Sequence, residues 1–77
     1  GQALVSLQRG ASTGRRMTAD PELGEVIVEF IRNGPYVKCS AVHTATGVEV
    51  SAIGPAAEPR AVELVAIAKL KRALSAG

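Results

Sequence analysis

Apolar and polar positions alternate through three runs of this chain, about 25–32, 36–43 and 48–53, and the period then lengthens toward the C-terminus. The first run, Glu25 to Ile31, is rich in β-branched residues and reads as a strand. Asn33-Gly34 follows it and is a type I′ hairpin signal, since both central positions of that turn need positive φ. A turn centred there sets Phe30 against Val37, Val28 against Cys39 and Val26 against Ala41, all apolar or small. On the opposite face it sets Glu29 against Lys38. The next turn, Thr44 to Gly47, is a four-residue loop that pairs His43 with Val48, Ala41 with Val50 and Cys39 with Ala52. Gly54-Pro55 closes the third strand.

From Pro59 the pattern becomes helical, over about 59–75. Proline suits the first helical position, and the acidic Glu58 before it favours the N-terminal dipole. Lys69, Lys71 and Arg72 sit toward the end where cations are favoured. At 100° per residue, Val62, Ala66, Ile67, Leu70, Ala73 and Leu74 form one stripe, interrupted by Glu63. The expected fold is α+β: a three-stranded antiparallel meander with one apolar face covered by the C-terminal helix. In that fold the first and third strands are both open edges. The far face of the sheet carries Ile27, Ile31, Tyr36, Val42 and Ile53 among polar residues, more apolar than a wholly solvated face requires.

Residues 1–20 break the pattern. Up to Ala19 the segment holds no acid, carries Arg9, Arg15 and Arg16, and has a brief apolar patch at Leu4, Val5 and Leu7. Composition predicts a disordered tail, partly non-native, with Met17 as a natural start and residues 21–77 as a single small domain. The 77 residues suffice for one domain at most, and with two aromatic residues its core must be aliphatic. A single cysteine excludes an internal disulfide and points to a reducing, cytoplasmic setting. No apolar run approaches the length that spans a bilayer.

Chemistry is sparse. Cys39 and His43 share one strand face four residues apart, about 13 Å, too far for a thiolate–imidazole pair. One cysteine and one histidine cannot build a four-ligand zinc site. Glu25, Glu29 and Glu49 lie on a face without an obvious cleft, and no glycine-rich segment has the form of a phosphate loop. The reading is therefore non-enzymatic, with no catalytic, metal or cofactor residues.

GEVIVEFIRNGPYVKCSAVHTATGVEVSAIGPA together with AVELVAIAKLKRAL resembles a family of short uncharacterised bacterial proteins of unknown function, common in alphaproteobacteria. The shared pattern is a Glu-Val strand with a buried Phe, a Val-Lys strand, an Ala-Thr-Gly turn, a Glu-Val-Ser strand ending Gly-Pro, and a Leu-rich helix. It covers residues 24–75. The resemblance implies a bacterial cytoplasmic setting and brings no site residues with it.

The expected function is a protein-interaction module, a homo-oligomer or a partner of some unknown chain, which associates through a sheet edge or the outer sheet face. The candidate surface is Ile27, Tyr36, Val42, Ile53, Leu64 and Val65. The alternative is weak nucleic-acid binding. GPYVKCSAV and the C-terminal helix have the outline of a double-stranded-RNA-binding domain, with Lys69, Lys71 and Arg72 as the phosphate contacts. Against that, AAEPRAVE lacks that family's Lys-Lys-x-Ala-Lys run.

Overall fold

The computed structural model describes residues 11–76. It contains β1 (Ala11–Asp20), β2 (Gly24–Asn33), β3 (Tyr36–His43), β4 (Glu49–Pro55) and α1 (Pro59–Ala76). The strands form one antiparallel sheet in sequence order, and α1 packs over β3 and β4 alike. The α+β class and the C-terminal helix are as the pattern predicts. The sheet, however, has four strands rather than three. Residues 11–20, expected as tail, pair with β2 along their length, from Ala11 opposite Asn33 to Asp20 opposite Gly24. The remainder of the predicted tail, 1–10, lies outside the described residues. Among the described residues β2 is therefore internal, and the sheet edges are β1 and β4.

β1 carries no apolar alternation because the helix does not cover it. Its positions opposite Val26, Val28 and Phe30 are Thr18, Arg16 and Gly14. Charge and turn chemistry hold it instead. Arg15 stands opposite Glu29, and Arg16 hydrogen-bonds Glu63, the residue that interrupts the helical stripe. Asp20 Oδ1 accepts the amides of Glu22 at 2.8 Å and Leu23 at 3.1 Å, which closes the β1–β2 turn. Lys71 then ties the helix to that turn, 3.4 Å from Asp20 and 3.0 Å from Glu22. The amides aimed at Asp20 hold its carboxyl below the usual carboxylate range. The bond to Glu22 raises Lys71. The acids that complement Arg15 and Arg16 lie in β2 and α1, so the acid-free run up to Ala19 is not a run without partners.

Met17, expected as a start, stands mid-strand opposite Ile27. Glu63 is buried, whereas Arg16 is half exposed. Arg16→Ala should leave that carboxylate without its cation and cost roughly 1–2 kcal/mol in urea unfolding. A change within error would mean the pair contributes nothing and β1 is held by its ladder alone.

The β2–β3 hairpin keeps the predicted faces but not the predicted register. Phe30 faces Cys39, Val28 faces Ala41, Val26 faces His43, and Glu29 faces Ser40 rather than Lys38. The pairing has slipped by two residues, which leaves inward and outward sets unchanged. The cause is the turn. Asn33 keeps a negative φ while Gly34 is at +63°, so the central pair is Gly34-Pro35. Positive φ at the first central residue followed by proline's fixed negative φ is the pattern of a type II′ turn. The Pro35 carbonyl accepts the Ala56 amide at 2.8 Å, pinning the end of β4 to this turn. The β3–β4 register is as predicted, with Ala41 opposite Val50 and Cys39 opposite Ala52. Gly47, at φ +79°, closes the loop by donating to the His43 carbonyl at 2.7 Å.

The core is small and aliphatic: Val26, Val28, Val37, Cys39, Ala41 and Ala52 from the sheet, with Val62, Ala66 and Leu70 from the helix. Ile67 and Leu74 pack at its rim, but Ala73 is exposed. Phe30 is only partly buried.

Candidate interaction surface at the β4 edge

Cys39 has no exposed surface, and burial, aided by the charge of Glu63, pushes its thiol up to about 11. It is a protonated core residue at neutral pH. In the unfolded chain it loses its proton near its ordinary 9.0, so the folded state loses stability as pH rises from about 9 to 11. Alkaline unfolding should show a loss of about 2 kcal/mol over that range, most of which disappears in Cys39→Ala. At pH 8 a thiol reagent should modify folded protein on the order of 100-fold more slowly than denatured protein. Equal rates would place Cys39 at the surface.

His43 is buried. Its Nε2 lies 2.9 Å from the Leu23 carbonyl, an acceptor only, so Nε2 carries a proton. Its Nδ1 lies 2.8 Å from Thr46 Oγ1, which also accepts the Val48 amide. The imidazole thus stitches the β1–β2 turn to the β3–β4 loop. Among the described residues no cluster of three or more His, Cys, Asp or Glu is placed to hold a metal ion.

Lys69, Lys71 and Arg72, the candidate phosphate contacts, do not form one patch. Lys69 donates to the Ser51 carbonyl at 2.6 Å, at the β4 edge. Lys71 reaches the β1–β2 turn, on the other side of the helix. Arg72 is exposed.

The six candidate surface residues fall in different places. Ile27 and Val42 are half-buried neighbours on the outer sheet face, beside the exposed Met17. Tyr36 and Ile53, 61% and 70% exposed, lie on that face near the β4 edge, next to Ile31. Val65 is on the helix flank that overlooks the same edge, while Leu64 points away from the sheet. The edge itself joins Ile53 to Val65: Ala52, Ile53, Gly54, Pro55, Ala61, Val62 and Val65 line an apolar cleft of about 170 Å³. Sequence reasoning missed Met17, because it lay in the supposed tail. It also missed the edge role of Lys69, which no sequence signal marks.

β4 offers backbone as well as apolar surface. The His43 amide donates to Val48 O, and the Ala56 amide to Pro35 O, so the even-numbered residues of this segment bond toward β3. By alternation the amides and carbonyls of Glu49, Ser51 and Ile53 face outward. Lys69 occupies one of them, Ser51 O, and Pro55 lacks an amide altogether. Such features restrict which strand an edge can accept.

The described molecule is a small α+β domain, a four-stranded antiparallel meander with one helix on one face, and that helix is not long and apolar enough to cross a membrane. The chain belongs to the family described as a domain of unknown function, DUF6898, whose model matches residues 23–77. β1, which completes the sheet, lies ahead of the matched span. Neither a curated protein nor a solved structure matches the chain.

Proposed function

We propose that the protein is a non-enzymatic interaction module that self-associates through its β4 edge. The observation that carries this reading is the edge itself: outward-facing backbone groups at Ser51 and Ile53, with exposed apolar side chains on both flanks, Ile53 and Tyr36 on one and Val65 on the other. Main-chain groups supply affinity in strand addition, and flanking apolar side chains supply specificity. β1 is the poorer edge, since no helix shelters it and pairing there would bring Arg16 against a second strand. A buried lone thiol and the likeness to short alphaproteobacterial proteins support a bacterial cytoplasmic setting.

Light scattering over a concentration series tests the reading. Wild type should gain mass with concentration, and Ile53→Asp should raise the dissociation constant at least about tenfold while leaving the monomer folded. Identical masses for both at every concentration would refute it.

A further inference from the structure

We propose that the occupant of the β4 edge is the β4 strand of a second copy, antiparallel and with Ile53 opposite Ile53 of that copy, so that two sheets join into one and the two α1 helices pack side by side. This rests on the self-association reading and adds its register.

Hydrogen bonding selects the register. Outward groups on β4 belong to odd-numbered residues, so a symmetric pairing can centre on Ser51, on Ala52 or on Ile53. Centring on Ser51 or Ala52 brings an incoming amide to Ser51 O, where it competes with the charged Lys69 amine. Centring on Ile53 sets Ser51 against the partner's Pro55. Proline has no amide to give, so Ser51 O keeps Lys69, while the Ser51 amide meets the Pro55 carbonyl, which takes it on its second lone pair beside the bond it accepts from its own Glu58 amide at 3.0 Å. The two Ile53 residues exchange both of their bonds. In this register every outward group from Ser51 to Pro55 that needs a partner has one.

The helix position agrees. Because α1 packs evenly over β3 and β4, it sits about half a strand spacing inside β4. One further half-spacing reaches the symmetry axis. At roughly 4.8 Å per strand the two helices then lie roughly 9–10 Å apart, within the range for packed helices. The flank of α1 facing the axis is Ala61, Val65, Ala68, Lys69 and Arg72, with Glu58 just ahead of the helix on the same side, all exposed. Val65 lines the cleft beside Ile53. Antiparallel pairing about Val65 puts Glu58, seven residues before it, beside the partner's Arg72, seven after. Ala61 and Ala68 leave room for close approach. On the outer face the same register brings Ile53 and Tyr36 of both copies into one apolar cluster.

The test uses the full chain with Cys39→Ala and Ile53→Cys. Residues facing each other in a hydrogen-bonded antiparallel pair have Cα atoms about 5.5 Å apart, within disulfide reach. Mild oxidation should give a disulfide dimer, whereas Cys39→Ala with Ile27→Cys should not. In light scattering Arg72→Glu should weaken the dimer about threefold to tenfold, and adding Glu58→Arg should restore it. If the chain dimerises but Ile53→Cys does not cross-link and the charge swap gives no rescue, the register is wrong and self-association stands. If the chain stays monomeric at all concentrations, both fall.

Discussion

Leu70→Ala should cost about 3 kcal/mol or more of folding free energy, the largest loss expected from any single truncation in this chain. Leu70 is fully buried and is the largest such side chain. The other buried apolar residues are valines, alanines and one cysteine. Without Leu70, α1 would hold the sheet through Val62 and Ala66 and the partly buried Ile67 and Leu74. The fully buried neighbours are valines, alanines and one cysteine, too short to fill the space, so much of the cavity would remain. A domain of this size has a total stability of roughly 4–12 kcal/mol, and the loss would leave a substantial unfolded fraction at 37 °C. Urea unfolding followed by far-UV circular dichroism measures it. A loss under about 1 kcal/mol would mean that α1 does not rest on the sheet through this face.

Gly54→Ala should follow, with a loss of about 1–3 kcal/mol. A Cβ at Gly54 would stand 2.6 Å from Val62 Cγ2. Valine is stiff about χ1, so this methyl cannot rotate away cheaply. Either the first turns of α1 must lift from β4 or the strand must bend. Val62→Ala removes the obstructing methyl. The double variant Gly54→Ala, Val62→Ala should therefore be more stable than the sum of the single losses implies, with a coupling on the order of 1 kcal/mol in a double-mutant cycle. Strict additivity would show that the helix does not approach β4 at this point.

How much of this molecule can be read from its sequence depends on what each segment packs against. The β3–β4 hairpin is fully legible because TATG fixes the loop length and both of its strands lie under the helix, which enforces alternation. In the β2–β3 hairpin the faces are legible and the register is not. Asn33-Gly34 and Gly34-Pro35 are both turn signals, and a slip of two residues changes no side chain's face, so hydrophobic patterning cannot choose between them. β1 was illegible for the opposite reason. Lying beyond the helix, it sets Gly14, Arg16 and Thr18 beside the core residues of β2, and its partners are charges distant in sequence. One clue was present: Glu63 in an otherwise apolar stripe requires a cation, and the segment dismissed as tail supplies Arg16. Of the surface, exposed apolar residues could be named from the pattern, but their grouping could not. Ile53 and Val65 meet at one edge only because α1 lies beside β4, whereas Ile27 and Val42 lie elsewhere on the face. The Lys69 bond to Ser51 O depends on the same placement.

Residue-resolved amide exchange at low and high protein concentration tests the central claim most directly. In the single chain the Ala52 and Gly54 amides are bonded to β3, while those of Ser51 and Ile53 face solvent. In dilute protein Ala52 and Gly54 should therefore be protected and Ser51 and Ile53 unprotected. As concentration rises, Ser51 and Ile53 should gain protection together, with no comparable change on β1. If both stay unprotected at every concentration, the β4 edge is not where this chain associates.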